Sequence, residues 1–281
     1  MTASANPKSK IQNPKSNSGQ VDNLAHLGLI FDVDGVLVDS PHEPTWGIAL
    51  ERLFATRDAW QRIRPRTTWR PDAYTQETYK QVCSGKARRD GARALLEHFR
   101  IPADEGPFLN DLCAIKQEVF VELVASARFR VFEDAVRVAL QAHAEGLAQA
   151  VASSSRNATG LLEAVLLAPL CERHGLLYPF VTRAARLVDL FQADVCGRPF
   201  PHGKPAPDIF LGAAAELRLP PECCIVFEDA VSGVLAARAG GMKCVGLARL
   251  DDADALREAG ADLVVSSLDQ VPFERIKSLL L

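Results

Sequence analysis

The sequence predicts an α/β protein built on a doubly wound parallel sheet, into which a helical domain is inserted. Three observations lead there. Short apolar runs recur at Leu27 to Phe31, Leu147 to Ala152 and Cys224 to Phe227, each of strand length and each running into polar residues. Helical segments separate the later runs, the alternation expected of parallel strands joined by crossover helices. Between Ser40 and about Arg130 the strand pattern disappears and helical spacing takes over.

In chain order, Leu27-Gly28-Leu29-Ile30-Phe31 suits a strand buried on both faces, and Gly35 lets the chain turn sharply beyond it. Asp32 and Asp34 then stand at the strand's carboxyl end, where open α/β sheets bind ligands. Two carboxylates one residue apart call for a cation, although an Asx turn closing a strand uses the same residues. In the insert, Ala92, Leu95, Leu96 and Phe99, then Leu112, Ile115, Val119, Phe120 and Leu123, are spaced as inward faces of amphipathic helices. Hinges are expected near Asp39 to His42 and Ala127 to Phe132.

Glu133 to Glu145 reads as a helix stopped by Gly146, after which the sheet resumes at Leu147. Further strands are expected near Phe191 to Val195, Lys243 to Leu247 and Asp262 to Val265, and an amphipathic helix near Asp208 to Leu217. Leu167 to Leu187 has mixed character, with Arg173, His174, Tyr178 and Pro179, and reads equally as a helical hairpin or as surface decoration.

Composition narrows the function. With 281 residues, 48% of them hydrophobic, the chain can bury a main domain and an insertion. A formal net charge of −3 gives no overall pull towards nucleic acid or an anionic membrane. No apolar run approaches the roughly 20 residues of a membrane span, and no signal peptide opens the chain. The seven cysteines are odd in number and lack paired metal-ligand spacing, which suits reduced packing residues in a cytoplasmic protein. The first 26 residues, rich in Asn, Pro, Lys and Ser and repeating Asn-Pro-Lys-Ser at Asn6 and Asn13, carry too little apolar content to fold and read as a disordered leader.

Three segments complete the chemistry that Asp32 and Asp34 begin. Ser153-Ser154-Ser155-Arg156-Asn157 follows the second strand, and its hydroxyls suit a helix cap or a phosphate cradle. Gly203-Lys204-Pro205 places a lysine on a stiff loop ahead of a helix, where a point cation can offset phosphate charge. Glu228-Asp229 follows the strand Cys224 to Phe227, and this second acidic pair completes a plausible Mg²⁺ site.

The segments FDVDGVLVDS, VASSSRN, GKPAPDIF and VFEDAVSGV resemble, in order, the four signature motifs of the haloacid dehalogenase-like (HAD) superfamily, and within it the β-phosphoglucomutase-type branch. The resemblance spans roughly Gly28 to the C-terminus. It implies a Rossmann-like core over 27–40 and 131–281, with 41–130 as a helical cap.

It also implies roles. Asp32 would be nucleophile and metal ligand. Asp34 would lend a carbonyl to Mg²⁺ while its side chain acts as general acid and base. Glu228 and Asp229 would complete the metal shell, Ser153 would bond the phosphoryl oxygens with Ser154 and Ser155 beside it, and Lys204 would neutralise developing charge. In the cap, Ser84-Gly85-Lys86-Ala87-Arg88 resembles the substrate loop of β-phosphoglucomutases. Arg88 falls on the arginine that grips the far phosphate, and Lys116 falls near a lysine that reaches the substrate.

Two departures stand out. Gln117 replaces the usual asparagine, and Pro44 stands where the mutases carry a histidine that positions the acid-base aspartate, with His42 two residues earlier. That loss favours water over a sugar hydroxyl as acceptor. The expectation is therefore a Mg²⁺-dependent phosphatase acting on a small phosphorylated metabolite, a sugar phosphate, with no nucleic-acid or membrane partner. A β-phosphoglucomutase-like isomerase is the alternative, and a non-catalytic phospho-ligand-binding protein the remote one.

Overall fold

The structure, a computed structural model, describes residues 26–83, 86, 88–126, 128–249 and 252–280. The proposed leader up to residue 25 lies outside the described residues, as do Ser84, Gly85 and Ala87 of the cap loop and Ala127 of the second hinge. The chain divides into two compact units, one formed by 1–39 with 130–281 and the other by 40–129.

The first unit is organised by a six-stranded parallel sheet. Its strands are β1 (Gly28–Phe31), β4 (Ala148–Val151), β5 (Ala193–Asp194), β6 (Cys224–Glu228), β7 (Lys243–Leu247) and β8 (Leu263–Val265), in spatial order β5-β4-β1-β6-β7-β8. β1 is central, pairing β4 on one side and β6 on the other, with Phe31 opposite both Val151 and Phe227. This explains its uninterrupted apolar run: a strand hydrogen-bonded on both edges and covered on both faces has no polar side to show. Phe31 and Phe227 stack with ring centroids 4.4 Å apart, forming an apolar floor beneath the residues that follow them.

The helix Glu133–Ala144 ends where Gly146 adopts φ +76°, and Leu147 N–H reaches back to the Ala142 carbonyl at 3.0 Å, so the chain reverses straight into β4. Two very short strands, β2 (Val38–Asp39) and β3 (Arg130–Val131), form an antiparallel pair where the chain leaves and re-enters this unit. Leu167 to Leu187 is a closed excursion. One short helix, Leu167–Arg173, buries Leu167, Leu170 and Cys171, and the returning chain bridges Leu166 to Arg186. The helical hairpin is not formed: after Leu167–Arg173 the next helical segment is the 3₁₀ turn Leu187–Leu190.

The second unit is helical, built from His42–Thr56, Asp58–Ile63, Gln76–Val82, Arg88–His98 and Pro107–Ala125. Its core gathers the residues that helical spacing marks as inward, including Leu95, Leu96, Phe99, Leu112, Ile115 and Val119, around Trp46, Trp60 and Trp69. Thr75 caps Gln76–Val82 by accepting the Thr78 N–H at 3.2 Å, and Thr78 Oγ1 accepts in return from the Thr75 N–H. All seven cysteines are free thiols. Among the described residues no helix is long and apolar enough to cross a membrane.

Candidate active site

Three neighbouring strands deliver the site. The β1–β6 ladder continues one residue beyond β1, with Asp32 N–H bonded to the Phe227 carbonyl at 3.0 Å, and this fixes Asp32 at the sheet's carboxyl edge. Glu228 is the last residue of β6, Asp229 follows it, and Ser153 lies two residues past β4. The loop after β5 is tied to the Ser153 turn by Gly197 N–H donating to the Ser153 carbonyl at 2.8 Å. Farther along the same loop, Lys204 precedes the helix Asp208–Leu217.

Lys204 Nζ lies 2.5 Å from Asp32 Oδ1 and 2.5 Å from Glu228 Oε1. Glu228 is only 1% exposed, and its second oxygen accepts the Ala230 N–H at 2.8 Å. Its carboxylate sits in a notch that Gly233 leaves open: a Cβ there would stand 1.7 Å from Oε1. Gly35 plays the matching part for Asp229. It holds φ +82°, and a Cβ on it would meet Asp229 Oδ2 at 1.8 Å. Sequence reasoning marked Gly35 as a turn residue but missed Gly233, whose need for a bare Cα becomes visible only once helix and strand are packed.

Electrostatics sets these carboxylates apart. Burial, reinforced by Glu228 and Asp34, outweighs Lys204 and pushes the Asp32 carboxyl up to about 7. Burial with Glu228 and Asp32 nearby raises Asp229 well above the ordinary carboxylate range. Burial works against the Lys204 ammonium, but Asp32 and Glu228 more than reverse it, so this lysine holds its proton more firmly than an exposed one.

Lys204 faces the carboxylates of Asp32 and Glu228, and Asp34 and Asp229 lie near enough to Asp32 to leave the cluster with excess negative charge. That donor set and that charge fit a divalent cation of the magnesium type. The expected four-ligand shell is nevertheless not assembled: among the described residues no three His, Cys, Asp or Glu side chains stand in metal-holding geometry. Like charges repel, Lys204 draws on Asp32 and Glu228, and both Glu228 oxygens already accept hydrogen bonds. In this arrangement Lys204 takes up one oxygen of Asp32 and one of Glu228, and the Ala230 N–H takes up the other Glu228 oxygen.

Ser153 is buried, and its Oγ accepts the Ser155 N–H at 3.1 Å, an arrangement that leaves the hydroxyl hydrogen to donate elsewhere. Ser155 Oγ likewise accepts from Asn157 N–H at 3.3 Å, and Ser154 is exposed. The hydroxyl run builds the turn but does not cap the helix Ala158–Ala164, whose N-cap Asn157 makes no side-chain cap bond. Cap and turn compete for the same oxygens, and here the turn wins.

In the helical unit Arg88 opens the helix Arg88–His98. Lys116 is 3% exposed, with Nζ 3.0 Å from His42 Nδ1, 4.7 Å from the Phe120 ring centre and 5.4 Å from that of Trp46. The His42 ring itself stacks on Phe120.

A doubly wound sheet with an acid pair at the ends of two adjacent strands, a lysine between Asp32 and Glu228 and a helical unit inserted after the first is the architecture of an α/β protein with its polar cluster at the sheet's carboxyl edge. The sequence pattern of the haloacid dehalogenase-like hydrolases matches residues 27–241, and the chain belongs to that family. It is 33% identical to a β-phosphoglucomutase of Mycobacterium bovis over 256 residues, covering 86% of this chain and 90% of that protein. It is 30% identical over 240 residues to a phosphorylated carbohydrates phosphatase of Thermotoga maritima, covering 84% and 93%. Among solved structures, an archaeal β-phosphoglucomutase from Pyrococcus sp. strain ST 04 superposes with a TM-score of 0.63 at 26% identity, covering 90% and 98%. The protein is an enzyme of the family's phosphohydrolase and phosphomutase kind.

Proposed function

We propose that the chain is a phosphatase that hydrolyses a small sugar phosphate in two steps through Asp32. The observation that carries this reading is the placement of Asp32: buried, one residue past the central strand and 2.5 Å from the Lys204 ammonium. A phosphate ester repels anions, so its charge must be offset before a carboxylate attacks in line. Lys204 supplies one positive charge, and Mg²⁺ held by Asp32, Asp34 and Asp229 would supply two more.

Asp32 attacks phosphorus, the bond to the sugar oxygen breaks, and the protonated Asp34 carboxyl gives that oxygen its proton. Asp34, now ionised, takes a proton from water, whose oxygen attacks the aspartyl-phosphate. The Asp32–phosphorus bond breaks and inorganic phosphate leaves. Ser153 donates its hydroxyl hydrogen to the phosphoryl oxygens, while Glu228, seated by Ala230 N–H and the Gly233 notch, keeps Lys204 in place.

The sugar-phosphate class rests on the relatives' names. Water as acceptor rests on Pro44, which replaces the mutase histidine, and on His42, whose ring already engages Lys116 and Phe120. In the helical unit, Arg88 is assigned to a distal anionic group of the substrate and Lys116, with His42, to shaping that end. Arg88→Ala should slow charged or bisphosphorylated sugars by more than about tenfold, the scale of a lost charge-assisted hydrogen bond, and leave neutral-tailed esters nearly untouched. Uniform slowing of all substrates would refute that assignment.

Screening the purified protein with Mg²⁺ against phosphorylated sugars tests the whole reading. Release of inorganic phosphate is the expected result. Conversion of β-glucose 1-phosphate to glucose 6-phosphate that needs a bisphosphate primer would instead mark a mutase, and saturable binding without turnover would mark a phospho-ligand-binding protein.

A further inference from the structure

We propose that Arg249 is a positioning residue of this enzyme: it holds the turn carrying Gly35 against Asp229, and so sets Asp34 and Asp229 for reaction. The kinetic part rests on the phosphatase reading; the structural part does not.

Arg249 lies two residues past β7, outside every signature motif. Its guanidinium grips Asp134 bidentately, Nη1 to Oδ2 at 2.9 Å and Nη2 to Oδ1 at 3.0 Å. Nη1 also donates to the Ser266 carbonyl at 3.0 Å, and Nε donates to the Gly35 carbonyl at 3.4 Å. The cation lies 4.3 Å from the Phe132 ring centre, and Phe132 N–H is bonded to the Leu37 carbonyl at 2.9 Å.

Residues 33–38 close on themselves through Gly35 N–H to the Val38 carbonyl at 2.8 Å and Val38 N–H to the Val33 carbonyl at 3.0 Å. Such a turn is internally stiff, but those bonds do not fix it to the body of the sheet. Arg249 and Phe132 do so, one on the Gly35 carbonyl and the other on the Leu37 carbonyl. The Gly35 contact is long for an N–H···O bond, so the contact's direction comes from the fork on Asp134, which fixes the guanidinium plane. Asp134 is itself anchored by Ser267 Oγ at 2.9 Å and Leu268 N–H at 2.8 Å.

The tolerance at the far side of the turn is small. Gly35 is packed against the Asp229 carboxylate with no room for a methyl group, so a shift of the turn displaces that acid as well as Asp34. A lysine at 249 keeps the charge but offers three donors from one point, and it cannot reproduce a planar fork that reaches Asp134, Ser266 and Gly35 together. The side chain is 11% exposed and committed to these partners, so it acts on the reacting groups only through the turn.

The test compares Arg249→Lys and Asp134→Asn with Ser267→Ala in the full chain. Readouts are p-nitrophenyl phosphate hydrolysis with Mg²⁺ and amide hydrogen exchange resolved at Gly35 and Val38. Arg249→Lys and Asp134→Asn should each lower kcat about tenfold with KM within about twofold, since small misplacement of reacting groups is costly. They should also speed exchange at those two amides. Ser267→Ala, which removes one donor to Asp134 Oδ2 and leaves the Arg249 fork and the Leu268 N–H in place, should lower Tm and leave kcat and both amides as in the wild type.

If Arg249→Lys lowers Tm while kcat and the two amides stay at wild-type values, Arg249 is structural only and the proposal fails. Should that variant not fold, Asp134→Asn decides by the same two readouts. Should the wild type hydrolyse no phosphate ester, amide exchange decides alone, with the phosphatase reading failing separately.

Discussion

Asp32 and Asp134 are the same residue type, 6% and 7% exposed, within the same unit, and the fold treats them in opposite ways. Asp134 is surrounded by donors, two from Arg249, one from Ser267 and one from the Leu268 backbone. Burial pushes its carboxyl up, but those bonds outweigh it, and the group lies below the ordinary carboxylate range. Asp32 meets Lys204 on one side and the carboxylates of Asp34 and Glu228 on others, and it is pushed up to about 7. The contrast separates a carboxylate saturated with donors from one kept short of them beside other carboxylates, a pattern that clusters at functional sites.

The largest expected effect comes from erasing the strained member. Asp32→Asn should remove about 10³-fold or more of turnover, as loss of a covalent nucleophile does. It should also raise Tm at pH 8 in metal-free buffer. A carboxyl raised from about 4 to about 7 carries a burden absent at low pH and full above neutrality, so the amide should help most at high pH. Activity within tenfold of wild type, measured by phosphate release, would remove Asp32 from its role; a lower Tm at pH 8 would mean that the Lys204 contact outweighs burial.

Next in size, Asp34→Asn should slow sugar phosphates by about 10²-fold and p-nitrophenyl phosphate much less, because the latter's leaving group needs little protonation. Equal losses on both substrates would count against Asp34 as the acid.

Asp134→Asn sharpens the other side of the comparison. It should cost about 3 kcal/mol at pH 7, since it leaves a buried guanidinium without its counter-charge. A depressed carboxyl contributes stability above its unfolded value, near 4, and loses it as the pH falls through the folded one. The Tm gap between variant and wild type should therefore narrow towards pH 3. A gap that widened on acidification would contradict the sign.

Much of this was legible in the sequence. The apolar runs name the strands because parallel strands are buried on both faces, and β1, β6 and β7 appear within a residue of the expected spans. Helical spacing identified the inward residues of Arg88–His98 and Pro107–Ala125 for the same reason of burial. Asp32, Lys204 and Glu228 were recognisable singly, and the structure brings them to 2.5 Å contacts. What stayed hidden depends on distance along the chain. Nothing local in Arg249 announces a carboxylate 115 residues away, and two-residue strands such as β2 and β3 leave no periodicity to read. Glu228 and Lys116 illustrate a second limit: residue type alone does not reveal that one lies against Lys204 and the other against His42 and Phe120.

The place of β1 in the sheet has a consequence for how the chain comes to life on the ribosome. The unit 40–129 is one uninterrupted stretch, whereas β1 must wait for β4 at residue 148 and then β6 at residue 224 before both its edges are satisfied. Synthesis from the N-terminus thus finishes the helical unit while the central strand is still a lone apolar segment. Until Cys224 to Glu228 emerges, Leu29, Ile30 and Phe31 form an apolar strand with an unpaired edge, and Asp32 and Asp34, immediately beside them, are charges of the kind that discourage such a strand from pairing with a neighbour on the same message.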